Sequence, residues 1–145
     1  MGKAFVSTVI NAPIERVWRT VGDFNGLPSW MAGLKASEIE GGKGEREIGA
    51  VRRITMIGTD AVLREKLLEI SDEDYLIKYA VLEAPLPVGN VVTMMRLRPI
   101  TDIFGTLGEW STEFEAEPGK EAEGAFHMTR VFNAGWRQLK RTLGV

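Results

Sequence analysis

Glu65 is the residue in this sequence best suited to carry chemistry. It sits between Leu63 and Leu67 in a strand-like run, and side chains two apart share a face. A carboxylate on an otherwise apolar face can accept hydrogen bonds, orient a polar group or move a proton. If that face turns inward, burial favours the neutral acid unless a cation pairs with it. If it turns to water, Glu65 pairs with a cation on a neighbouring strand. Arg52 and Arg53 are adjacent in the preceding strand, so one of them must face each side. Ile54 and Met56 share the face of Arg52, which favours Arg52 as the inward residue. A buried guanidinium needs an acceptor, and Glu65 on the next strand is the expected one. Such a pair can anchor the polar end of a ligand or serve as a purely structural bridge. His127, the single histidine, is the natural general acid–base candidate. It falls near the arginines of its helical wheel, away from Met128, Phe132 and Leu139, so a surface position is expected.

Composition removes several other chemistries. The absence of cysteine excludes disulfides, thiolate nucleophiles and Cys-type zinc sites, and one histidine leaves no multi-histidine metal centre. Neither a metal nor another cofactor is expected. A net charge of −2 offers no basic surplus for phosphates, so nucleic acid is not an expected partner. The run Met1–Phe5 carries no signal-type apolar stretch, and no apolar run approaches ~18 residues. A cytoplasmic protein without integral membrane association is the expectation. The 145 residues, 44% hydrophobic and 26% charged, suit one globular domain over 1–145.

The elements that must position Glu65 follow from periodicity. Over Lys120–Val145, Ala125, Met128, Phe132, Trp136, Leu139 and Leu143 form one helical stripe opposite Arg130, Arg137 and Arg141. Gly135 lies on that stripe and either admits close helix–sheet contact or leaves space for a guest. Ala4–Asn11 reads as a strand, and Pro13 suits the first position of a short helix carrying Ile14, Val17, Trp18 and Val21. Gly22 ends it and Asp23 can cap a second stretch, so Pro13–Met31 reads as a broken helix pair. Strands are expected over Leu34–Glu40, Val51–Ile57, Ala61–Ile70, Tyr75–Leu82, Val91–Arg98 and Thr106–Glu115. The class is α+β, a strongly curled antiparallel sheet against one long helix. Trp30, Trp110, Trp136, Phe24, Phe114 and Phe132 fit plain core or the wall of an apolar pocket. Leu86-Pro87-Val88 is apolar within a loop, as the cover of a cavity mouth would be.

These residues carry a resemblance. Ala12-Pro13-Ile14-Glu15-Arg16-Val17-Trp18, Asp23-Phe24, Leu27-Pro28-Ser29-Trp30 and Ile48-Gly49-Ala50-Val51-Arg52 resemble the START-like, or birch-pollen-allergen-like, superfamily with its helix-grip fold. Arg64-Glu65-Lys66-Leu67, Leu86-Pro87-Val88 and Trp110-Ser111-Thr112-Glu113-Phe114 extend it over nearly the whole chain. The nearest likeness is to the bacterial polyketide cyclase/dehydratase-like proteins, and a more remote one is to the plant abscisic-acid receptors. The resemblance implies about seven strands wrapped around the C-terminal helix, two short helices after the first strand, and a cavity between sheet and helix. It places Lys35, Arg52 and Glu65 inside that cavity. Gly58-Thr59-Asp60 is too short for the receptors' gate loop, and Leu86-Pro87-Val88 replaces their latch, which argues against hormone signalling.

The expected ligand is therefore a small apolar or amphipathic molecule, such as a lipid, an isoprenoid or a polyketide-like aromatic. The expected contacts are Lys35, Arg52, Ile54, Glu65, Leu67, Leu86, Val88, Trp110, Met128, Val131 and Phe132. A second reading is a cyclase/dehydratase in which Glu65 moves a proton while Arg52 or Lys35 steadies an enolate. A third is a non-catalytic interaction module using the exposed sheet. A homodimer is compatible with all three.

Overall fold

The computed structural model describes residues 1–145. β1 (Gly2–Ile10) leads into α1 (Ile14–Val21) and a 3-10 turn over Phe24–Ser29. β2 (Leu34–Ile39), β3 (Val51–Met56), β4 (Val62–Ser71), β5 (Leu76–Glu83), β6 (Gly89–Ile100) and β7 (Gly105–Glu115) follow, then α2 (Glu121–Leu143). All seven strands form one antiparallel sheet in the order β1-β7-β6-β5-β4-β3-β2. Six strands run as a meander, and β1 joins it by pairing with β7. The α+β expectation holds in class, strand order and helix placement. Neither helix is long and apolar enough to cross a membrane.

Boundaries move for local reasons. Pro13 occupies the N-cap position, extended at φ −61° and ψ 147°, one place before the first helical residue. Asp23 stands at the start of the 3-10 turn, but its side chain makes no capping bond. β6 is longer than its apolar run because it pairs with β7 from Gly89 opposite Glu115 to Ile100 opposite Gly105. Backbone pairing carries a strand past its hydrophobic core.

The grip between sheet and helix depends on two reciprocal glycine–tryptophan contacts. A Cβ on Gly135 of α2 would lie 2.6 Å from the Trp110 ring of β7. A Cβ on Gly108 of β7 would lie 2.8 Å from the Trp136 ring of α2. Each indole thus lies where the other element lacks a side chain. Gly135 admits close contact and leaves no space for a guest. The Trp136 indole also donates to the Val6 carbonyl at 3.3 Å, fixing α2 to β1. Trp110 stacks on Phe132 with ring centroids 4.4 Å apart and planes 11° from parallel, a close stacked pair at the short edge of the usual range.

Candidate functional site

Alternation along β3 and β4 turns Arg52 and Glu65 inward, directly opposite each other in the antiparallel register. Arg52 is 3% exposed and Glu65 5%. Arg52 Nε donates to Glu65 Oε1 at 2.9 Å, and Nη2 lies 2.8 Å from the same oxygen. Nη1 donates to the carbonyl of Phe24 in the 3-10 turn. The guanidinium carbon lies 4.1 Å from the Phe24 ring centroid and 4.9 Å from that of Tyr79. A buried charge is tolerable only with such compensation.

Between β4, β5, β6 and the first half of α2 lies a cavity of about 80 Å³. Eleven of its thirteen lining residues are hydrophobic, Tyr79 counted among them. Trp110, Phe132, Met128 and Val131 form the wall shared by β7 and α2, and Leu86 closes the loop side. Glu65, Tyr79 and Thr93 supply the polar atoms. The Trp110 indole donates to the Tyr79 hydroxyl at 3.3 Å. Burial, and secondarily the charge of Glu65, push the Tyr79 phenol well above its ordinary range, so it keeps its proton. Thr93 shares a 3.2 Å bond with the Thr112 hydroxyl.

The structure thus brings Glu65, Leu86, Trp110, Met128, Val131 and Phe132 to one cavity. It sets the other expected contacts elsewhere. Lys35 is exposed against Met56–Asp60, outside the cavity. The cause is a bulge in β2: Leu34 pairs with Met56 and Ala36 with Thr55, leaving Lys35 as the extra residue. Counting back from Ser37 opposite Ile54, unbroken alternation would have turned Lys35 inward. Leu34 takes the cavity position instead. Arg52 is paired with Glu65 and does not line the cavity. Ile54 packs into the main core, and Leu67 joins Phe24, Ile77 and Tyr79 in a smaller cluster. Val88 seats beside Gly124, where a Cβ would come within 2.8 Å of its Cγ1. His127 is half-buried on α2 and does not reach the cavity.

Tyr79 and Thr93 are the polar residues that the sequence does not single out. Their register was partly readable, since Tyr79 pairs with Leu67 on one side and Thr93 on the other. The irregularities between Arg64 and Glu65 and between Leu67 and Glu69 conceal that alignment.

Two further features lie outside the cavity. An open groove of about 540 Å³ crosses the outer sheet face near Phe5, Met94 and Lys78. It is larger than the cavity, yet its Lys3 and Glu113 already pair at 3.5 Å, and its buried polar residues, Thr93 and Thr112, are bonded to each other. Asp72, after β4, accepts from the Trp18 indole at 2.8 Å and from Arg46 at 2.7 Å. The indole bond first, and then the Arg46 bond, hold its carboxyl below the usual carboxylate range.

An antiparallel sheet curled around a C-terminal helix, with an apolar cavity between them, defines a helix-grip protein. More narrowly, the chain belongs to the polyketide cyclase/dehydrase and lipid transport family, whose model matches residues 1–144. Solved structures agree. A protein from Thermobifida fusca is 26% identical, with TM-score 0.86 over 98% of this chain and 93% of its own. The Bacillus cereus protein XoxI is 25% identical, with TM-score 0.85 over 97% of this chain and 94% of its own. A Nitrosospira multiformis protein is 27% identical, with TM-score 0.82 over 96% of this chain and 94% of its own. No curated protein matches the sequence.

Proposed function

We propose that this protein binds a small, mostly apolar molecule in the cavity between sheet and α2, with Glu65, Tyr79 and Thr93 holding its polar end. The observation that carries the reading is a carboxylate and two hydroxyls converging in a cavity whose other lining residues are all hydrophobic. Stability alone does not favour such an arrangement, because apolar residues of similar volume commonly serve as well as a buried ion pair. Family membership supports it. Pockets for drug-sized ligands span about 300–1,000 Å³, far more than this cavity provides. A ligand larger than a few atoms must therefore open it. Among the half-buried lining residues, Leu86 and Met31 are the two that lie outside the strands and helices, so they are the side chains free to move aside.

Native mass spectrometry of freshly purified protein, with extraction of bound molecules, tests the proposal. A co-purifying apolar compound, or saturable binding of an apolar fluorescent probe that Val131→Phe abolishes, is the expected result. An empty protein that binds no such probe rejects it. A second reading, proton transfer by Glu65 with Tyr79 as donor, draws on the same convergence. It requires turnover that Glu65→Gln abolishes while binding persists.

A further inference from the structure

Arg52 invites the idea that the cavity anchors an acid. Its geometry argues otherwise. Nε and Nη2 both address Glu65 Oε1, Nη1 donates to Phe24, and the rings of Phe24 and Tyr79 lie against the guanidinium. Three of the five N–H donors of the guanidinium are committed to protein acceptors, two rings lie against it, and it does not line the cavity. The bulge in β2 takes Lys35 to the outer surface. Glu65 is the one charged side chain on the cavity wall, and both of its Arg52 contacts fall on Oε1. Oε2 has no hydrogen-bond partner and is not fully enclosed, which leaves it as the acceptor available to a guest.

We propose that the cavity selects a neutral hydroxyl group, an alcohol or a phenol, and rejects a carboxylate. The inference rests on the cavity being the ligand site. The Tyr79 oxygen already accepts from the Trp110 indole and has the Thr93 hydroxyl beside it as a second donor, so its own proton is what it offers a guest. A hydroxyl both donates and accepts. It can donate to Glu65 Oε2 while accepting from Tyr79, which satisfies both groups at once. A carboxylate only accepts, so it leaves Oε2 unsatisfied. It also sets one anion beside another in an apolar enclosure, where little water screens the repulsion. An ammonium group satisfies Oε2 but gives the Tyr79 proton no acceptor. It also adds a charge to a pair that is already neutral.

Benzene, phenol and benzoate form a probe series of similar size; an apolar cavity of about 150 Å³ binds benzene, so all three require the cover of this cavity of about 80 Å³ to open, and to a similar extent. The readout is a chemical-shift titration of the indole N–H signals at neutral pH, with Trp110 reporting from the cavity wall. Phenol is expected to bind at least about tenfold more tightly than benzoate, the scale of one hydrogen bond to a charged group. Tyr79→Phe should weaken phenol several-fold. Arg52→Met combined with Glu65→Gln, which removes both charges together, should narrow the gap between phenol and benzoate. Benzoate binding as well as phenol, in a protein that also takes benzene, overturns the selectivity while leaving the cavity as the ligand site. Failure of all three probes to perturb Trp110 rejects the cavity as a ligand site, and the selectivity with it.

Discussion

The two halves of α2 face the same sheet on different terms. From Gly135 to Leu139 the helix is keyed to β7 and β1, with Trp110 over Gly135, Trp136 over Gly108 and Leu139 fully buried. From Gly124 to Phe132 it packs around a space that Met128, Val131 and Phe132 share with Glu65 and Tyr79. One half spends its apolar surface on stability, and the other keeps part of it in reserve. Under the proposed function the fold must both stand and open, and these tasks divide along one element.

The largest test of that division is Trp136→Ala, which removes a keyed indole and its bond to Val6. It should cost about 3–5 kcal/mol in denaturant unfolding. Arg52→Met, which strands Glu65 as an unpaired buried carboxylate, should cost about 3 kcal/mol. Adding Glu65→Leu should restore most of that loss, and a double mutant no better than the single would show that the pair is not acting as a unit. Gly135→Ala comes next. Alanine gains up to ~1 kcal/mol in helix propensity, but its Cβ meets Trp110, and overpacking costs about 1–3 kcal/mol, so a net loss is expected. Val131→Phe, on the cavity half, should change stability by less than about 1 kcal/mol because it grows into existing space. If it costs as much as Gly135→Ala, the two halves are not different in kind.

The smallest effect concerns acid. Asp72 is depressed in the folded state by the Trp18 indole and Arg46. Its contribution is therefore present above the unfolded carboxylate range and lost as pH falls below ~4. The melting temperature should drop over that interval by more in the wild type than in Asp72→Asn. Equal slopes would remove Asp72 from the acid response.

Most of the architecture was legible because its period was clean. The stripe from Met128 to Leu139 and the alternation of Trp110, Thr112 and Phe114 specify a helix and a strand with known inward faces. Opposite faces for Arg52 and Arg53, with Glu65 across the strand gap, followed from the same rule. What escaped were positions governed by interruptions of the period. The β2 bulge displaced Lys35, and irregular pairing in β4 hid Tyr79 and Thr93. The volume left inside was also unreadable, since it depends on how far Trp110 settles onto Gly135 and where Leu86 comes to rest.

That bulge bears on how ligand preference can pass between related chains. In an unbroken β2 the same lysine, at the same place in the sequence, would serve the interior; here it serves solvent. Inheritance of a binding residue in this fold is thus a matter of strand phase as well as identity. A relative can gain or lose a cationic anchor through the slip of one residue, with no substitution at the position that carries the charge.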